Sequence, residues 1–287
     1  MLNVLSLFSG IGAFEKALDN LGIPYNLLAY CEIDKYASKS YSIIHNVPEE
    51  KNLKDVTKVD ILDIEDPVDL ITYGFPCQDI SNAGQQKGFR DEDGNLTRSG
   101  LFFEALRIID DYKPKFAIAE NVKALTSKKF TNEFKTVLES LEEVGYNNYW
   151  QVLNAKDYGI PQNRERVFII SIRKDIDVGF KFPSPIPLDL RLKDLLDDEV
   201  DESYYLPIDK FPTITADVES VRIQEATKQG YSEAKSGDTI NTNYPNSKTR
   251  RGRVGKHGVA NALTATDLQA VVLSADKDEI DSFLNEA

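Results

Sequence analysis

Residues 4–18 read VLSLFSGIGAFEKAL, and this stretch decides the fold. A short apolar run, NVLSLF (3–8), has strand composition. Gly10 and Gly12 follow, and AFEKALDNLG (13–22) has the apolar spacing of a helix. Glycines between a strand and a helix let the backbone come close to a ligand, and the helix N-terminus favours anionic groups. Glu32 closes the next strand, YNLLAYC (25–31), twenty residues after Gly12. An acid at that place accepts ribose hydroxyls in nucleotide-binding sheets. The spacing alone fits NAD, FAD or S-adenosylmethionine, and it also fits an ordinary tight turn. The third glycine of G-x-G-x-x-G is missing, which leans away from a dinucleotide and its pyrophosphate.

The alternation continues outward. DKYASKSYSIIHN (34–46) reads as a helix, DLITYG (69–74) as a strand, GLFFEALRIIDDY (100–112) as a helix and KFAIAEN (115–121) as a strand. In TNEFKTVLESLEEVG (131–145), Phe134, Val137, Leu138, Leu141 and Val144 line one helical face, and Gly145 suits the stop. RVFIISI (166–172) is a late strand. The predicted fold is therefore α/β, a mostly parallel doubly wound, Rossmann-like sheet with a small loop-rich second domain. The expected boundaries are 1–178 for the catalytic domain, 179–205 for a proline-rich connector, 206–275 for the small domain and 276–287 for an acidic tail.

Composition narrows the classes. The chain has 287 residues, 41% of them hydrophobic, with 14 Phe and 13 Tyr, so a sizeable core is available. Two cysteines, Cys31 and Cys77, and two histidines, His45 and His257, do not make a disulfide framework or a zinc site. No metal is expected. No signal peptide and no apolar run near eighteen residues is found, so no membrane partner is expected and the cytoplasm is the expected compartment. The net charge of −13 argues against a surface coated in positive charge, yet KTRRGRVGK (248–256) carries five cations and no acid.

Cys77 stands at the end of the DLITYG strand, after Pro76, and opens the polar, glycine-bearing segment QDISNAGQQKGFRDEDGNLTRSG (78–100). A lone cysteine is usually a core thiol. A strand's carboxyl end beside a loop able to close over a substrate is instead where a nucleophile sits. No histidine lies near it in sequence, so a Cys–His protease pair is poorly supported.

GFPCQDIS (74–81), ENVK (120–123) and QNRERVFII (162–170) closely resemble three signature motifs of DNA (cytosine-5) methyltransferases, in the family's order and spacing. LFSGIGAFE (7–15) is similar to that family's cofactor loop and CEIDKYA (31–37) to its adenosine-contacting segment. The likeness covers nearly all of residues 1–175. It implies methyl transfer from S-adenosylmethionine, leaving S-adenosylhomocysteine, to carbon 5 of a cytosine flipped out of duplex DNA. By this resemblance Cys77 is the thiolate that adds to carbon 6. Glu120 protonates or hydrogen-bonds N3, Arg164 contacts the base carbonyl, and Arg166 supports the site through salt links; Asn121 is expected to be structural. The cofactor set implied is Phe8, Ser9, Gly10, Gly12, Ala13, Phe14, Glu32, Ile33, Gly74 and Pro76, with either Asp55 or Asp60 at the adenine edge. Phe8 and Ile33 would sandwich the adenine.

The resemblance places the target-recognition segment in the small domain. There Arg250, Arg251, Arg253 and Lys256 are expected on DNA, with Thr264 near the base and Gln78 and Ser81 approaching from the loop. Two segments that the family carries beyond this point, one supporting the small domain and one bordering the cofactor pocket, are not found in 273–287. This suggests a second subunit, self-association or a truncated, weakly active DNA-binding member, in a bacterial or phage-encoded protein. A transfer-RNA methyltransferase and a nicotinamide oxidoreductase are the other readings; the latter leaves all motifs but the first unexplained.

Overall fold

A computed structural model describes residues 1–76, 89, 97, 99–197, 200–205, 214–216, 220–244, 247, 249–263 and 269–272. The chain divides into two compact units, Met1–Leu153 with Glu165–Pro183, and Asn154–Arg164 with Ser184–Ala287. The boundaries thus run differently from the sequence expectation. The second unit takes an eleven-residue excursion out of the first, and most of the expected connector belongs to it.

The first unit runs β1 (Leu2–Leu7), α1 (Ala13–Asn20), β2 (Tyr25–Cys31), α2 (Lys35–His45), β3 (Leu70–Tyr73), α3 (Phe102–Tyr112), β4 (Phe116–Val122), α4 (Thr131–Glu143), β5 (Tyr146–Asn154) and, after the short β6 (Gln162–Asn163) of the second unit, β7 (Glu165–Arg173). Its sheet has the order β2-β1-β3-β4-β7-β5. The pairs β1–β2, β1–β3 and β3–β4 are parallel, and β4–β7 is antiparallel. From β1 the chain goes to β2 on one side and then to β3 on the other. That reversal opens a crevice beyond the carboxyl ends of β1 and β3, the usual ligand position in such sheets.

Both sheet faces are covered, which is why β1 and β3 read as nearly unbroken apolar runs. On one face Leu5, Leu7, Ile71 and Tyr73 meet Phe102, Ala105, Ile108 and Ile109 of α3 and Phe134, Val137 and Leu141 of α4. On the other, Val4, Leu27 and Leu70 meet Tyr41 of α2 and Leu18 of α1. The apolar stripe expected on 131–145 is therefore the face that α4 buries, and Gly145 follows it with φ 105°. Strand β5 escaped the sequence reading because YNNYWQVLN is polar and lies at the sheet edge, where a strict apolar pattern is not required.

The second unit holds β8 (Ile214–Ala216), β9 (Val221–Gln224), β10 (Tyr231–Ala234), β11 (Thr239–Asn241), β12 (Val254–Gly255), β13 (Ala260–Asn261) and β14 (Gln269–Val271). These form two three-stranded sheets, β10-β9-β8 and β12-β11-β14, whose strand pairs are antiparallel, and a two-stranded pairing of β13 with β6. Ile223, Ala234 and Ile240 form its small core.

Candidate active site

The turn after β1 is built by left-handed residues. Phe8 (φ 53°), Gly10 (φ 56°) and Gly12 (φ 84°) bend the chain from the strand into α1. A side chain at Gly12 would sit 2.2 Å from Nε2 of His45 and 2.8 Å from Cε2 of Tyr41. Gly12 is thus required by the approach of α2. A side chain at Gly10 would meet nothing within 4 Å, so open space lies beside it. His45, its side chain 2% exposed, hydrogen-bonds the carbonyl of Ile11 through Nε2 at 3.0 Å, and its Nδ1 lies 3.9 Å from Asp19.

Glu32 governs this turn. Its Oε2 accepts from the Gly10 amide at 2.8 Å and its Oε1 from the Asp34 amide at 2.7 Å. Its own backbone is gripped by Asn52, whose Oδ1 accepts from Glu32 N at 3.0 Å and whose Nδ2 donates to Glu32 O at 2.9 Å. Asp34 then caps α2 by accepting from the amides of Tyr36 and Ala37. One carboxylate therefore joins the glycine turn to the start of α2. Asn52 and His45 were missed by the sequence reading. Nothing local marks Asn52, whereas His45 falls four residues after Tyr41 on one helical face.

The remaining expected cofactor residues are placed as follows. Ser9 donates its hydroxyl to Ser6 O at 3.0 Å and Cys31 O at 3.3 Å. Ala13 is exposed, Phe14 and Phe8 are half-buried, and Ile33 is 77% exposed beside Glu32. Asp55 and Asp60 both cap short 3-10 turns. Asp55 accepts from the amide and hydroxyl of Thr57, which hold its carboxyl below the usual range, and Asp60 accepts from Leu62 N. Open space at Gly10, a fixed carboxylate and an exposed apolar side chain together fit a nucleoside.

Beyond β3, Gly74 and Pro76 are half-buried and Phe75 is 2% exposed, wedged against Tyr73, Phe89 and Phe102 at centroid distances of 6.3, 6.4 and 5.4 Å. Asn121, 3% exposed, donates to Phe75 O at 3.1 Å and ties the end of β4 to this segment. Glu120, in the neighbouring register position, receives Nε of Arg166 on Oε1 at 2.8 Å; the two side chains are 28% and 21% exposed. A Cβ on Gly74 would lie 3.8 Å from Oε2 of Glu120, so the carboxyl group stands beside the backbone three residues before Cys77. Cys77, Gln78, Ser81 and Thr264 lie outside the described residues. Arg164 is half-buried in the second unit's excursion, its amide donating to Asn154 Oδ1 at 3.0 Å.

The chain's other cysteine is the opposite of a nucleophile. Cys31 is 1% exposed, and burial, with Asp63, Asp55 and Glu32 nearby, pushes its thiol up to about 12. Iodoacetamide at pH 8 is therefore expected to leave Cys31 unlabelled in the folded protein and to label it once denaturant is added, as read by peptide mass spectrometry. Labelling of native Cys31 at the rate of a free thiol would contradict this burial.

In the second unit Arg250 and Arg253, both expected on DNA, hydrogen-bond the protein's own carbonyls. Arg253 is 1% exposed, and its guanidinium donates to the carbonyls of Asn241 (3.2 Å), Asn243 (3.0 Å) and Tyr244. It holds the 241–244 loop and has no surface to offer a phosphate. Arg250 is half-buried, donating to Asn243 O at 3.1 Å and stacking over Tyr244 at 5.2 Å. Arg251 and Lys256 are exposed. Among the described residues no cluster of His, Cys, Asp and Glu suits a metal ion, and no helix is long and apolar enough to cross a membrane.

A glycine turn fixed by a strand-end acid, at the reversal point of a doubly wound sheet, is the arrangement found in nucleotide-binding α/β sheets. The family profile of C-5 cytosine-specific DNA methylases matches residues 2–276. The orphan methyltransferase M.SPRI of Bacillus phage SPR is 38% identical over 86% of this chain and 62% of its own. The type II methyltransferase M2.ScrFI of Lactococcus lactis subsp. cremoris is 36% identical over 72% of this chain and 70% of its own. Among solved structures, the methyltransferase EhMeth of Entamoeba histolytica superposes with a TM-score of 0.59 at 25% identity, over 74% of this chain and 64% of that one. The chain belongs to the C-5 cytosine-specific DNA methylase family. It spans less than two thirds of the phage protein's length.

Proposed function

We propose that this chain methylates carbon 5 of a flipped-out cytosine in duplex DNA, through a covalent adduct on Cys77. The observation that carries the reading is the carboxyl group of Glu120, ion-paired to Arg166 and standing beside Gly74 at the approach to Cys77. Carbon 5 of cytosine is a weak nucleophile. Addition of the Cys77 thiolate to carbon 6 forms a carbon–sulfur bond and sends electrons towards N3, where Glu120 supplies a proton or hydrogen bond. Carbon 5 is thereby activated. Loss of its proton to a base later restores the ring's double bond as the thiolate leaves. Arg164 is the candidate for the base carbonyl, and Arg166 keeps the Glu120 carboxyl oriented.

S-adenosylmethionine, when bound, supplies an activated methyl group on a sulfonium. Glu32 is suited to its ribose hydroxyls, and Phe8 and Ile33 to the faces of its adenine. Ser9 and Asn52 act through the backbone of the turn. The target base is inaccessible in stacked duplex and must be extruded, with Gln78 and Ser81 the candidates for the displaced strand, Lys256 for DNA phosphates, Arg251 for base edges and Thr264 for the flipped base's site. The test is to incubate the full chain with duplex DNA and methyl-labelled S-adenosylmethionine. Label in 5-methylcytosine is the expected result; label absent from DNA, or confined to RNA, would overturn the reading.

A further inference from the structure

The second unit contains a cleft that the sequence did not reveal. Three turns meet around a cavity of about 560 Å³, at residues 191–193, 235–238 and 256–258. They are fastened to one another. Asp238, 8% exposed, accepts from the amides of both Lys235 and His257 at 2.9 Å. The amide of Leu192 donates to Gly258 O at 2.8 Å, and Arg191 lies across Gly258, where a Cβ would come within 3.1 Å of it. The rim carries Lys193, Lys235, Lys256 and His257, all exposed.

The charges do not cancel. Glu233 is ion-paired to Arg222 at 2.7 Å, and Asp238, hydrogen-bonded by the two amides, keeps one negative charge among the lining residues. Lys193, Lys235 and Lys256 make no ion pair among the described residues. A chain of net charge −13 therefore gathers three ammonium groups around one preorganised hollow, where they outnumber the Asp238 carboxylate. Lysines are compact point charges that bind phosphate without reading sequence, which suits a backbone anchor. From this we infer that the cleft clamps the DNA sugar–phosphate backbone, fixing the register of the duplex. The inference rests on the reading of the chain as one that acts on DNA.

The experiment compares the full chain with K193Q/K235Q/K256Q and with K39Q/K135Q/K228Q, which removes equal charge from exposed positions elsewhere. Affinity for a duplex oligonucleotide is measured across a salt series. Loss of the cleft lysines is expected to reduce the slope of log affinity against log salt by about 2–3, at roughly 0.9 per phosphate contact. The control should move it far less, and both variants should keep the wild-type melting temperature. Equal slopes for the two variants would overturn the cleft while leaving the DNA reading intact. Failure of the wild type to bind duplex would overturn both. A single-stranded RNA of equal length bound more tightly through the same lysines would overturn the duplex assignment. So would calorimetric binding of inorganic tripolyphosphate, lost only in the cleft variant, because it would assign the site to a small anion.

Discussion

Replacing Glu120 by Gln is expected to lower methyl transfer by about 10²–10⁴-fold, the range for losing a positioned proton donor or acceptor. The substitution keeps the side chain's shape and a hydrogen-bonding group at its tip. What it removes is the ability to move a proton, together with the charge that answers Arg166 at 2.8 Å. Because both side chains retain some exposure, the stability cost of the broken pair is expected to be small. The loss should therefore appear in the single-turnover rate, with cofactor affinity and melting temperature close to wild type. Arg166→Gln should produce a smaller fall in the same rate, since it disturbs the orientation of Glu120 and leaves its carboxyl in place. An unchanged rate for Glu120→Gln would remove Glu120 from the chemistry.

The second large effect lies in the glycine turn. Gly12→Ala puts a Cβ on a left-handed residue (φ 84°, ψ 49°) and 2.2 Å from His45 Nε2. The conformation costs roughly 1–2 kcal/mol. Displacing His45 breaks its bond to Ile11 O and adds roughly 1–3 kcal/mol of overpacking. A fall in melting temperature of roughly 5–15 °C follows for a protein of this size, with weaker cofactor binding because the turn itself shifts. His45→Ala opens the occupied space. The cost of Gly12→Ala should therefore be smaller in that background, a coupling that a double-mutant cycle measures. Wild-type melting of Gly12→Ala would show that the turn accommodates a side chain.

How far the sequence carried this molecule can be judged from particular residues. Strands β1 to β4 were legible because sheets covered on both faces demand unbroken apolar runs, and α4 because its stripe is deep and regular. Gly12 was legible as special, but for a partial reason: the sequence suggested room for a ligand, whereas the tight neighbours are Tyr41 and His45 of α2. Asn52 holds Glu32 across twenty residues through backbone groups, and no local pattern encodes such a bond. Arg253 misled because a basic run looks solvent-facing until the fold folds one member inward onto carbonyls. The cleft lysines Lys193, Lys235 and Lys256 lie 42 and 21 residues apart, so only the fold brings them together. Cys31 also closes a strand, so strand position did not separate it from Cys77; the GFPCQDIS motif did, and the burial that raises the Cys31 thiol is visible only in the fold.

The central claim is that Cys77 attacks the cytosine ring. The most direct measurement offers the full chain a duplex carrying 5-fluorocytosine, with S-adenosylmethionine present, and reads the product by denaturing electrophoresis and peptide mass spectrometry. Fluorine at carbon 5 prevents the proton loss that frees the thiolate, so the account predicts a stable protein–DNA adduct mapped to Cys77, absent in Cys77→Ser and retained in Cys31→Ser. An adduct on another residue, or methylated DNA from Cys77→Ser at the wild-type rate, would contradict it.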